Sequence, residues 1–177
     1  MKTFYRRGLA LLLAIFFAAT ISAQTNKIAV RPKINRIVTG LQKDRMVYFG
    51  YPVGYGGSDG TKIKYYKLYK KLMHKATNEE LIELTKNKSA NIIIYAFKIL
   101  YIRNYNGLKN IFLDNINDST QFWTSGGCTG VVNQVNWFML WLLKPMDKDN
   151  SKVHLTKEEY DFYCNKFSKE NKYYTCE

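Results

Sequence analysis

From Thr61 onward the apolar and polar positions recur with helical spacing. Between Lys62 and Ala76, the residues Tyr65, Leu68, Tyr69, Leu72, Met73 and Ala76 fall at intervals of three and four. Lys64, Lys67, Lys71 and Lys75 repeat at the same period on the opposite side. This predicts an amphipathic helix that buries one face and presents a basic row on the other. Thr77-Asn-Glu-Glu80 has the form of a capping box: a threonine that accepts from the amide three residues on, and a glutamate that reaches back. It predicts a short helix carrying Leu81, Ile82, Leu84 and Thr85, closed by Lys86-Asn-Lys88. Ser89 is the next N-cap expected. The segment Ala90–Arg103 is apolar almost all the way round, the mark of a helix enclosed by its neighbours.

Beyond the turn at Asn106-Gly107, the residues Leu108, Ile111, Phe112 and Ile116 form a further helical stripe. Gln121 to Gly130 is expected to be a loop with aromatic content. Val131–Leu143 is expected to be a core helix, too short and too rich in amides to span a bilayer, stopped by Lys144-Pro145. Thr156-Lys-Glu-Glu159 repeats the capping box and opens a last helix with Tyr160, Tyr163, Cys164 and Phe167 on one face. Upstream, Gln24–Arg45 is polar and basic and is expected to be an irregular or short-stranded arm. It leads through a short apolar segment at Met46 into a loop with glycines at 50, 54, 56, 57 and 60.

The first 23 residues follow another pattern. Lys2, Arg6 and Arg7 precede an apolar run from Leu9 to Thr20, and small residues follow at Ser22 and Ala23. That order is a cleavable secretory signal with the scissile bond at Ala23–Gln24. The run is too short to cross a bilayer comfortably, so no transmembrane segment is expected after processing. The full chain carries a net charge of +13. Removing the leader takes away three basic residues and no acidic ones, leaving +10 on 154 residues. A chain of that length suits one domain and can bury a core without a metal or a mesh of disulfides. The expected organisation is leader 1–23, basic arm and glycine loop 24–60, and helical domain 61–177. The expected location is periplasmic or extracellular.

The run Tyr66–Arg103 contains Ala76-Thr-Asn-Glu-Glu-Leu-Ile-Glu-Leu-Thr85 followed by Ser89-Ala-Asn-Ile-Ile-Ile-Tyr-Ala-Phe97. It resembles a HEAT-type helical repeat, and the chain is similar to the small exported HEAT-like proteins of Gram-negative bacteria, whose function is generally unassigned. The resemblance covers about 60 residues and implies an all-α fold, a short superhelix of helix pairs. The chain has no second clear copy of the repeat, and one repeat cannot bury its face alone. The 131–143 and 156–170 helices would have to close it.

Cys128, Cys164 and Cys176 are the cysteines. In an oxidising compartment they imply one bridge and one spare thiol; of the three pairings, Cys164 to Cys176 is the most local. Gly126-Gly-Cys-Thr-Gly130 has the spacing of a nucleophile elbow, and Asp147, Asp149 and His154 follow in acid-then-histidine order. This gives the one enzymatic alternative, a hydrolase or transferase using Cys128. An elbow needs a parallel sheet with alternating helices, and the pattern shows none. The 50–60 loop lacks a Gly-Lys-Ser/Thr ending and a dinucleotide spacing, and nothing groups cysteines, histidines or carboxylates as metal ligands. No cofactor or metal is expected. His74 and His154 have the positions of surface or half-buried residues. No aromatic-basic module for nucleic acid is present. The expected function is a non-enzymatic interaction module whose lysine row meets a protein or an anionic envelope component.

Overall fold

The computed structural model describes residues 29–50, 60–126, 129–145, 155–171 and 174–175. The leader, the Ala23–Gln24 bond, most of the glycine-rich loop, Cys128, Cys176, Asp147, Asp149 and His154 lie outside them. Among the described residues there are seven helices: α1 (Pro32–Leu41), α2 (Gly60–Lys75), α3 (Asn78–Leu84), α4 (Ala90–Ile102), α5 (Leu108–Asp114), α6 (Val135–Leu142) and α7 (Lys157–Glu170). Three strands accompany them: β1 (Met46–Val47), β2 (Gln121–Gly126) and β3 (Thr129–Gln134). The fold is mostly helical but not all-α.

The centre is α4. Ile92, Ile94, Ala96, Phe97, Ile99 and Leu100 are fully buried, and Tyr95 is 1% exposed. A helix without a polar face has to be wrapped, and α1, α3, α5, α6, β1 and β2 all pack on it. Its end is a Schellman motif. Asn104 takes the left-handed conformation at φ 55°. The Asn104 amide donates to the Tyr101 carbonyl, and the Tyr105 amide to that of Leu100, each at 3.0 Å. Both capping boxes form as expected. Thr77 Oγ1 accepts from the Glu80 amide and the Glu80 carboxylate from the Thr77 amide. Thr156 and Glu159 do the same at α7. Ser89 takes the N-cap position of α4 without a side-chain cap; its amide instead donates to Asn87 Oδ1 at 2.9 Å.

Two segments depart from expectation. The basic arm is not irregular over 32–41: Pro32 fixes the first turn of α1, and Ile34, Ile37, Val38 and Leu41 make a buried stripe. Where α1 crosses α2, a Cβ on Gly40 would lie 3.0 Å from the Leu68 side chain, so the missing side chain brings the helices together. The second departure is the 121–134 region, which is neither a loop nor the start of a helix. β2 pairs antiparallel with β3, Gln121 opposite Gln134 through Gly126 opposite Thr129, and β1 adds parallel to β2. The strands form because Phe122 alternates inward and Trp123 outward, while the β-branched Val131 and Val132 suit a pleated surface. Helical spacing resumes only at Val135.

Truncating Phe97 to Ala should cost about 3–5 kcal/mol, because the ring is fully buried and its removal leaves a cavity in the core. Urea unfolding followed by circular dichroism will show it as a lower midpoint at unchanged slope.

Candidate functional site

Helix α2 fulfils the expected polarity. Tyr65, Tyr69, Leu72 and then Ala76 are buried, while Lys64, Lys67, Lys71 and Lys75 are exposed together with His74. Lys64 Nζ lies 5.9 Å from the Tyr65 ring centroid. None of the four lysines makes a salt bridge with a described residue. α1 packs beside α2 and adds Lys33 and Arg36, both exposed. The two helices together carry eight Lys or Arg and no Asp or Glu. Glu79 and Glu80 stand instead in the first turn of α3, and Glu158 and Glu159 in that of α7.

Two arginines hold the C-terminus of α2, where the last carbonyls have no helical partner. Arg31 donates through Nη2 to the Lys75 carbonyl at 2.8 Å. Arg103 donates through Nη2 to the carbonyls of Met73 and Ala76 and through Nη1 to Asn78 Oδ1. Positive charge at this end also suits the helix dipole. Arg31 is fixed in turn by Glu80, whose side chain is only 4% exposed. Nε donates to Oε1 at 2.7 Å, Nη2 to Oε2 at 2.8 Å, and the Arg31 amide to Oε1 at 3.0 Å. The bidentate guanidinium holds the Glu80 carboxyl down at about 2, burial opposing it, with the Thr77 amide assisting. The basic surface is thereby anchored to α3 and to the segment entering α1.

A second concentration of unusual residues lies on the hairpin and the adjoining α6. Trp123, Val131, Val132 and Trp141 are four of the large apolar side chains left 40–55% exposed. Paired residues share a sheet face. Thr124 and Val131, with Phe122 and Asn133, face α6, whereas Met46, Trp123 and Val132 face away. Thr124, Val131, Asn133, Trp137, Phe138 and Trp141 line an open groove of about 280 Å³. Asn133 Nδ2 donates to Thr124 Oγ1 at 3.0 Å. Phe138 at the groove floor stacks on Phe49 (5.5 Å between centroids), and Trp137 stacks on Tyr174 (4.3 Å, 8°). Lys98 on α4 sits over the rings of Phe49 and Tyr101, and burial lowers its pKa.

Cys164 is fully buried on the inner face of α7. Cys128 and Cys176 lie outside the described residues, as do Asp147, Asp149 and His154, so the elbow constellation has no described geometry. Among the described residues no group of three or more His, Cys, Asp or Glu could hold a metal ion, and no helix is long and apolar enough to cross a membrane. Compared with protein families, characterised proteins and solved structures, the chain matches none.

Because the folded pKa of Glu80 is depressed, its stabilisation is fully present above the unfolded value near 4.3 and is lost as pH falls toward about 2. Glu80→Gln should therefore lower Tm at neutral pH, with the gap to wild type closing as the pH falls through that window. Calorimetry at stepped pH will test it; a gap that stays constant on acidification would contradict the clamp.

Proposed function

We propose that the chain is a non-enzymatic exported protein that docks through α1 and α2 on an anionic partner, an acidic protein or an anionic component of the cell envelope. One observation carries this: eight basic residues and no acid on two adjacent helices, with the lysine row exposed and without acidic partners among the described residues. Such a surface attracts anions over about a Debye length, near 8 Å at physiological salt. The clamps by Arg31 and Arg103 support it further, since they hold the row on a rigid helix end and leave its charges to solvent.

Export rests on the leader pattern of residues 1–23 with cleavage at Ala23–Gln24, and places the protein in the periplasm or outside the cell. An internal disulfide belongs with it: Cys164 is fully buried on α7, and Cys176 is the nearest cysteine in sequence. Peptide mapping without reduction identifies the pair. The kinship with HEAT-like repeats is part of the same reading and is supported by the succession of short helix α3, wrapped helix α4 and short helix α5. The alternative, a Cys128 nucleophile, gains no support from the described residues.

The purified protein should sediment with vesicles containing anionic lipid at low ionic strength and be released by high salt. Reversing Lys64, Lys67, Lys71 and Lys75 to Glu should weaken that binding at least about tenfold while leaving the circular dichroism unchanged. Binding indifferent to salt, or to the reversal, would remove the basic face from the reading.

A further inference from the structure

Independently of the basic helices, we propose that the open edge of β3 is a self-association edge, pairing antiparallel with β3 of a second copy of this chain about a two-fold axis at Val131. The hydrogen-bond phase of the hairpin gives the starting point. The Val135 amide donates to the Thr120 carbonyl at 3.1 Å, in the same register as Gln121 opposite Gln134. Hydrogen-bonded and non-bonded pairs alternate along an antiparallel ladder. Asn133 and Val131 therefore turn their backbone groups toward β2, while Gln134, Val132 and Gly130 turn theirs outward. Gln134 is already engaged, its amide donating to the Tyr174 phenol oxygen. At Gly130 and Val132, no described hydrogen bond reaches the outward groups. The opposite edge of the sheet is covered: the Tyr48 amide donates to Tyr95 Oη at 2.8 Å, and Asn91 Nδ2 to the Asp44 carbonyl.

The free groups select the register. With the axis through Val131, Gly130 of each copy lies opposite Val132 of the other, and each exchanges both its amide and its carbonyl. No group already used by β2 or by Tyr174 is needed. The side chains fit the same arrangement. On the outer face Trp123 lies across Gly130, where a Cβ would meet the indole at 3.1 Å, and Val132 of the second copy would pack beside that ring. On the α6 side Val131, 50% exposed, would meet its own symmetry mate at the mouth of the aromatic groove.

Charge makes a second copy the fitting occupant. Natural edge strands are guarded by lysine, proline or inward charges. Here, from Ser119 to Leu143, there is no charged residue, in a chain that is 23% charged and carries +13. Two copies of a chain with this net charge meet no like-charge repulsion along that neutral stretch, and it contains the unguarded edge. An isologous contact of this kind closes after two copies, because each uses the same edge of β3.

The test is the mass of the protein in solution. Sedimentation equilibrium at micromolar concentration should give twice the chain mass. Val132→Pro removes the outward amide without touching the β2 ladder, and Val131→Lys sets two like charges face to face across the axis. Both should give the single-chain mass with unchanged circular dichroism. Should Val132→Pro disturb the fold, hydrogen exchange on wild type decides: the amides of Gly130 and Val132 should exchange more slowly in concentrated than in dilute protein. A monomeric wild type, a dimer untouched by Val131→Lys, or exchange at those amides independent of concentration would each overturn the proposal.

Discussion

Everything in this structure is arranged around a helix that cannot face water. α4 buries ten of its thirteen residues, and its apolar character runs all round the cylinder. At about 1.5–3 kcal/mol for each large side chain buried, no partial covering would suffice. The short helices α3 and α5 and the tip of β1 cannot make stable units of their own. They persist because each closes one side of α4. The same requirement accounts for α1: a segment whose surface is strongly basic is nevertheless helical, because α4 and α2 need its Ile34, Ile37, Val38 and Leu41.

Wrapping one helix with many short ones creates many helix ends, and the polar residues deal with those. Arg31 and Arg103 come from different parts of the chain and converge on the C-terminus of α2. Glu80 serves twice, as the reciprocal partner in the α3 capping box and as the counter-ion of Arg31. The bases of α1 and α2 have no acid within their own helices, and the segregation that supports the proposed anionic docking surface lies in that composition.

The small sheet solves a different problem. Its inner face supplies Phe122 and Val47 to the core, while its outer face and far edge keep Trp123, Val131 and Val132 in solvent. Core demands explain the first set and not the second. An uncharged edge strand beside an aromatic groove is costly to leave open, which is the physical reason to assign it an occupant.

Local pattern determined much of this. The amphipathic stripe of α2, both capping boxes and the enclosed character of α4 follow from residues within a turn or two of each other, so they could be read from the chain directly. The exposure of Lys64, Lys67, Lys71 and Lys75 followed from the same periodicity. What the pattern could not contain were pairings between distant residues. Val131-Val132 reads as the beginning of an apolar helix until Trp123 and Thr124 are set beside it. Gln24–Arg45 reads as a loose arm until Leu68 approaches Gly40 and Glu80 grips Arg31 across 49 positions of sequence. Strand formation and the burial of α1 depend on partners brought near only by the folded chain, and these were decided by tertiary structure alone.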